Sequence, residues 1–348
     1  MTGFAFAIPG DIELATGGYA YDRRVIAECR RAGCPVTPLA LPDGFPFPTP
    51  DELARSVQRL GALAPGLPVL IDGLAFGALP APLLRGLRRP LAALVHHPLA
   101  CEAGLDGRQK AALRASERAA LAEAAAVIAT SPSTARLLAQ DYGVPAGRLS
   151  VAVPGTDPAP RARGTGQPLR LLCVGAVIPR KAHGVLVDAL AALVARDWTC
   201  HIVGATDRDA GETARVRQRI AAHGLERRIR LTGALAPEAL ADEFDAADLF
   251  VTASLFEGFG MGLAEALARG LPIVATRAGA IPETVPPAAA LLAAPDDAGS
   301  LAEAIRLILD HPDRRRLKAE AAWRHAQTLP DWAGTAALIR GALEEIVQ

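Results

Sequence analysis

No sign of charge dominates this chain. Lys plus Arg and Asp plus Glu both number 37, so the formal net charge is zero and nothing supports bulk nucleic-acid binding. Cysteine is sparse and odd in number, five in all, with no CxxC pair and no His/Cys spacing suited to zinc. Cys29, Cys101, Cys173 and Cys200 sit in apolar surroundings and read as small core hydrophobes in a reducing cytosol. No apolar run reaches the ~18 residues that a membrane span requires. Residues 1–10 lack the basic region and cleavage site of a signal peptide and read as a first strand. The expectation is a cytoplasmic protein, with peripheral attachment to the inner face of the membrane left open. Aromatics are few at 4%, yet 51% of residues are hydrophobic and 21% charged, ample for sizeable cores.

A length of 348 residues suggests two domains. Short apolar runs at 4–9, 36–41, 69–71, 91–95, 127–130 and 149–153 read as strands, most bounded by Pro or Gly. Helical stretches at 18–32, 50–63, 79–87, 108–124 and 133–142 lie between them, which predicts a parallel sheet covered on both faces. The Pro-, Gly- and Arg-rich stretch 154–168 has no periodicity and reads as an interdomain linker. The alternation then resumes, with strands at 169–174, 199–203, 229–231, 249–252, 273–275 and 289–292. Helices are expected at 185–195, 212–223, 237–244, 262–268 and 301–309, followed by a helical tail at 315–327 and 332–346. The fold class is therefore α/β, two Rossmann-like domains in tandem, spanning residues 1–160 and 168–325. Ligands of such sheets bind beyond the carboxyl ends of the strands, so two facing domains would build a cleft.

The most informative stretch is Glu257-Gly258-Phe259-Gly260-Met261-Gly262-Leu263-Ala264-Glu265. It runs from an expected buried strand through a glycine-rich turn into a helix. Such a turn lets a ligand approach bare backbone, and the helix start offers unpaired N–H groups and a positive dipole end to an anion. Glu257 and Glu265 bracket it, and carboxylates accept hydrogen bonds from sugar hydroxyls. The combination describes a site for a phosphorylated sugar. A tight turn with glycines for packing and two solvated glutamates is the plainer alternative.

Other strand ends carry polar residues. Gly17-Gly18 opens the first helix beside Tyr19, and packing explains the pair as well as ligand approach does. His96-His97-Pro98 leaves the fourth strand, with Glu102 close behind. Arg180-Lys181 precedes a helix, where cations oppose the dipole unless an anion sits there. Gly233-Ala234-Leu235 ends another strand, and Thr276 to Glu283 follows the strand after the Glu257 motif.

Glu, seven residues, Glu, with Gly-Phe-Gly directly after the first, closely resembles the signature of the retaining family-4 glycosyltransferases. The resemblance covers essentially the whole chain. It implies a GT-B architecture whose last helix, within 326–348, crosses back to the first domain, an acceptor-binding first domain and a donor-binding second one. It implies sugar transfer from a nucleotide diphosphate sugar to a hydroxyl acceptor (glycan, lipid or small molecule), a hexosyltransferase-type reaction with UDP- or GDP-sugar as co-substrate and no other cofactor; the sequence offers no acidic cluster for a metal, so the expectation is metal independence. Glu257 then contacts the donor sugar's hydroxyls and Glu265 the ribose. Backbone of Gly258, Phe259, Gly260 and Met261 approaches sugar and phosphates, Lys181 holds the diphosphate, and Gly233 and Leu235 wall the base. His96 matches the family's histidine at the donor sugar, beside Gly17 and Gly18, while Tyr19, His97 and Glu102 are candidates for the acceptor.

Two departures stand out. The family's Gly-Arg-x4-Lys reads with Ala176 at the arginine, so Arg180 is a candidate second cation. The Gly-Gly-Ile-Pro-Glu turn has Ala280 for its second glycine. Two rival readings remain, a nucleotide-sugar epimerase of the same fold and a non-catalytic nucleotide-sugar binding subunit. Residues 83–89 mix apolar and basic side chains and could touch an anionic membrane bearing a lipid acceptor, although a solvated helix face explains them more simply.

Overall fold

A computed structural model describes residues 3–347. The chain forms two compact units, one of residues 1–155 with 330–348 and the other of residues 156–329.

The first unit runs β1 (Phe4–Pro9), α1 (Gly17–Arg31), β2 (Val36–Leu41), α2 (Pro50–Gly61), β3 (Val69–Asp72), α3 (Gly73–Phe76), α4 (Ala81–Gly86), β4 (Leu91–Val95), α5 (Gly107–Leu121), β5 (Ala126–Ala129), α6 (Pro132–Tyr142) and β6 (Leu149–Val151). Every strand pairing is parallel, in the order β2-β1-β3-β4-β5-β6. The central strands β3, β4 and β5 are buried along their whole length, which is why they read as continuous apolar runs. Helix starts follow local chemistry: Thr49 with Glu52 and Asp106 with Gln109 close capping boxes. The helix α14 (Trp332–Glu345) packs against α1 in this unit. Its Thr335 hydroxyl donates to Val153 O at 2.7 Å, and a side chain on Gly155 would strike the Trp332 backbone.

The second unit runs β7 (Leu169–Val174), α7 (His183–Ala191), β8 (Trp198–Val203), α8 (Ala210–Ala222), β9 (Ile229–Gly233), α9 (Pro237–Asp245), β10 (Leu249–Val251), α10 (Met261–Ala268), β11 (Ile273–Thr276), α11 (Ile281–Thr284), β12 (Ala290–Ala293), α12 (Ala298–Asp310) and α13 (Pro312–Ala326). Its parallel sheet has the order β12-β11-β10-β7-β8-β9. The order reverses between β7 and β10, and in an open α/β sheet the ligand crevice lies beyond the carboxyl ends of the strands at such a point. In the first unit the reversal falls between β1 and β3.

Two expectations change. Residues 156–167 are not a free linker: Ala162 N donates to Arg269 O, Arg163 N to Asp245 O and Thr165 Oγ1 to Asp248, so backbone and side chains dock the segment on the second unit. Its irregular sequence gave no sign of that, because the partners lie far downstream, 82 and 83 residues on for Arg163 and Thr165 and further still for Ala162. The short helices α3 and α11 were missed, being one turn long and too short to show a period. Among the described residues no helix is long and apolar enough to cross a membrane. In the basic segment at 83–89, Leu84 is buried, and Arg85, exposed, pairs with Glu123 at 2.6 Å.

Candidate active site

Both loops that flank the reversal in the second sheet carry charge. After β7 the chain makes a single turn at Pro179–Lys181 and passes through Ala182, at φ 48°, into α7. After β10 it runs through Thr252 and Ser254 to Glu257. The Leu255 amide donates to Arg180 O at 2.8 Å and ties the two loops together.

Glu257 is buried, 7% exposed, and sits at the centre. Its Oε1 accepts from Lys181 Nζ at 2.5 Å and from Ser254 Oγ at 2.6 Å. Arg180 Nη1 lies 3.6 Å from the other oxygen and donates to Phe256 O at 2.8 Å. Burial alone would raise the Glu257 pKa, but the two cations and these hydrogen bonds outweigh it and hold the carboxyl below its ordinary value. Behind it, Thr252 and Ser254 hydroxyls lie 2.9 Å apart, and Thr276 Oγ1 donates to Ser254 O. The turn after β11 supports the same residue. Ala280 N donates to Glu257 O, and Gly279 has φ 54° with any Cβ only 2.3 Å from that oxygen. Only glycine fits there.

Gly260, at φ 94°, turns the chain into α10 and offers no side-chain cap. The first amides of a helix have no intrahelical partner, so this end presents N–H groups and positive dipole. The other face of α10, Leu263, Ala266 and Leu267, is buried with Ala321 and Ala322 of α13, which fixes the axis. Glu265 is partly buried on α10. Burial, with help from Asp157 and against Arg269, pushes its carboxyl up to about 7.

In the first unit, His96 leaves β4 at the same end as Asp72 leaves β3. Its Nε2 lies 3.2 Å from Asp22 Oδ1 on α1 and 3.3 Å from Asp72 Oδ2. Asp22 and Asp72 are 0% and 3% exposed. Burial raises the Asp22 carboxyl, while for His96 the two carboxyls overcome burial and raise the imidazole. Three potential ligand atoms within 4.8 Å resemble part of a metal cage, but both contacts converge on one nitrogen at hydrogen-bond length. Among the described residues no fourth His, Cys, Asp or Glu joins them.

The structure thus gathers Arg180, Lys181, Glu257 and the turn Gly258, Phe259, Gly260, Met261 in one place, with Glu265 one turn along α10. Gly233 ends β9 on the other side of β8, and Leu235, two residues further on, packs on the core. Gly17 and Gly18 begin α1, where a Cβ on Gly18 would press on His96 Cδ2 at 3.3 Å. Tyr19 is buried and its hydroxyl donates to Pro9 O at 2.6 Å, so that hydroxyl is already engaged. His97 Nε2 and Glu102 Oε2 are 3.2 Å apart. Sequence reading missed Ser254, Asp22 and Asp72. Asp72 did leave a signal, a charge closing the apolar run Val69-Leu70-Ile71. Asp22, inside an amphipathic helix, left none.

Known proteins resemble this chain in sequence and in fold. The family model described as glycosyl transferase 4-like domain matches residues 10–155, and that described as glycosyl transferases group 1 matches residues 168–311. Mannosylfructose-phosphate synthase of Agrobacterium fabrum is 33% identical over 43% of this chain and 37% of its own. The chain spans about half the length of the curated relatives it matches. Among solved structures, sucrose-phosphate synthase from Thermosynechococcus elongatus superposes with a TM-score of 0.82 at 22% identity, covering 99% of both chains. Anabaena HepE in complex with UDP and glucose gives 0.79 at 20% identity, covering 98% of this chain and 100% of that one. At such identities the superpositions speak for the fold.

Proposed function

The chain belongs to glycosyltransferase family 4, and from that premise we propose that it transfers a sugar from a nucleotide diphosphate donor to a hydroxyl acceptor, with retention at the anomeric carbon. One observation carries the reading. Lys181 and Arg180 converge on Glu257 beside the open amino end of α10, at the reversal point of a nucleotide-type sheet. Cations and helix-end amides suit a diphosphate, and a carboxylate with a depressed pKa suits sugar hydroxyls.

The hard step is departure of the diphosphate as the anomeric carbon gains oxocarbenium character. Lys181 and the amides of Phe259, Gly260 and Met261 stabilise the charge that grows on the leaving oxygens. Glu257 accepts from hydroxyls of the donor sugar, and Glu265 from the ribose. The bond from carbon to the phosphate oxygen breaks, the acceptor oxygen bonds to the same face, and the acceptor's proton passes to the leaving phosphate. That route needs no enzymic nucleophile. Two cations around a single carboxylate repel a metal ion, which supports metal independence. His96 acts on the transferring sugar, and Gly17, Gly18, Tyr19, His97 and Glu102 belong to the surroundings of sugar and acceptor. HepE was crystallised with UDP-glucose, which supports a UDP-sugar here, with a GDP-sugar as the other candidate. Free, mostly buried thiols fit a reducing cytoplasm.

The test is nucleotide release from UDP-, GDP- and ADP-sugars in the presence of a chelator, comparing wild type with Lys181→Ala. Release from one donor, lost in the variant, is the expected result. Silence across the panel together with no nucleotide binding overturns the donor site.

A further inference from the structure

Two buried carboxyl groups on one imidazole nitrogen go beyond what a histidine needs merely to be held in place. We propose that Asp22 and Asp72 are positioning residues that keep His96 as a fixed imidazolium, so that its remaining N–H, at Nδ1, donates to an anionic oxygen of the substrate and His96 does not serve as a general base. The substrate in this statement rests on the sugar-transfer reading above; the protonation state does not.

Above about pH 7, where burial has placed the Asp22 carboxyl, the two groups only accept, so an Nε2 that lies 3.2 and 3.3 Å from them carries a proton. That fixes the tautomer at Nε2 and leaves Nδ1, on a ring that is one-fifth exposed, for a further partner. Burial makes the carboxyls demanding neighbours, because an unpaired buried charge is expensive. Asp72 is pinned by its other oxygen, which caps α3 through the Leu74 amide at 2.7 Å. Asp22 has no such relief: its Oδ2 is buried without a hydrogen-bond partner. The cation that meets both is His96.

Every element packed on the ring agrees with a permanent cation. From α1 come Asp22, the Gly18 backbone against Cδ2 and the Tyr21 ring, edge-on at 5.2 Å. Tyr21 stays neutral, since its hydroxyl donates to Ala152 O and burial raises its pKa. From β3 comes Asp72. From the end of β5, Thr130 donates to the His96 carbonyl at 3.1 Å and leaves the ring alone. The charges that act on His96 are those of Asp22 and Asp72, and together they raise its pKa to about 10.

The experiment is nitrogen-15 NMR of histidine-labelled protein without substrate, with His96→Gln identifying the resonance among seven histidines. Near pH 8.5, about two units above the ordinary imidazole value, both His96 nitrogens are expected to be protonated. Asp72→Asn and Asp22→Asn should each lower the midpoint by about 1–3 pH units. A neutral His96 near pH 7.5 in wild type overturns the proposal, as does a metal-shifted Nε2 resonance; both are read on wild-type protein, with His96→Gln, or His96→Asn should that fail to fold, serving only to assign the signal. In the release assay, wild-type kcat should stay flat from about pH 7 to 9 while Asp72→Asn acquires a falling limb there. Both-protonated resonances without any sugar transfer would remove the functional reading and leave the imidazolium standing. Transfer with a neutral imidazole would do the reverse.

Discussion

Lys181 and Glu257 lie 76 positions apart in sequence and meet at 2.5 Å, so the cation expected to bind a diphosphate is already neutralised within the protein. Donor binding must therefore draw Lys181 away from Glu257 or share it. Glu257→Gln removes the competing charge, and we expect it to bind the free nucleoside diphosphate about tenfold more tightly, roughly 1.4 kcal/mol. Nucleotide release in the same variant should fall by about 10²–10³, because the amide meets the sugar hydroxyls without the charge of the carboxylate and with one acceptor oxygen fewer. Titration calorimetry and the release assay measure the two effects separately. Unchanged or weaker diphosphate binding would show that the pair does not compete with the ligand. The pair also carries a pH signature. A depressed carboxyl contributes stability above its unfolded pKa and loses it as pH falls through the lower folded value, so this contribution is intact at neutral pH.

Gly279 tests whether the turn after β11 holds Glu257 in place. A methyl there would lie 2.3 Å from Glu257 O and 2.8 Å from its N, in a backbone conformation of φ 54°. Gly279→Ala is expected to cost about 1–3 kcal/mol in backbone strain and to displace the Glu257 main chain. The displacement should lower kcat by more than tenfold while the far-ultraviolet circular dichroism stays native. Full activity would mean that Glu257 is fixed from the Ser254 side alone.

Much of this was legible in the sequence because parallel sheets write themselves as apolar runs. All twelve runs became strands, with edges shifted by no more than two residues. The Glu257–Glu265 stretch was legible for a local reason, since strand, glycine turn and helix follow one another directly. What escaped was non-local. Lys181 and Arg180 stood out as an oddity before a helix, but nothing in their neighbours indicated that both turn to Glu257. The docking of residues 156–167 depends on Asp245 and Asp248, far along the chain. The Asp22–His96–Asp72 cluster assembles three elements at the reversal of the first sheet, and only strand order, which a sequence does not print, brings them together.

Glu265 gives a pH dependence with a definite sign. Burial raises its carboxyl to about 7, so near neutral pH it is divided between the acid and the carboxylate. Ribose hydroxyls are best met by the carboxylate, which only accepts. Nucleotide affinity should therefore fall as pH drops below about 7, by at most tenfold per unit for a single proton. Binding near pH 7 should release a fraction of a proton, which calorimetry reads as a dependence on the ionisation heat of the buffer. Glu265→Gln should abolish that dependence and leave only the titration of the nucleotide phosphate itself. Equal pH profiles for the two proteins would remove Glu265 from the nucleotide site.

Glu117 concerns the loop that carries His97 and Glu102. It lies on α5, 1% exposed, and its Oε2 accepts from the Leu99 amide at 2.9 Å, anchoring the turn at Leu99–Cys101. Oε1 has no partner, and Tyr142 is near enough to influence the carboxyl without closing an ordinary hydrogen bond. Burial pushes this group up to about 8. The folded state thus keeps a proton that the unfolded chain releases near its ordinary value of about 4.5, the glutamate reference. Between those values the folded state binds more protons, so stability falls as pH rises, by up to about 1.4 kcal/mol per unit. Glu117→Gln retains an acceptor for Leu99 and cannot ionise. Urea unfolding at pH 5, 6.5 and 8 should show the variant level with wild type in acid and increasingly more stable towards pH 8. The comparison is differential, so every other titrating group cancels. A constant gap across the three pH values would mean that Glu117 is ionised in the folded protein and that burial does not govern it.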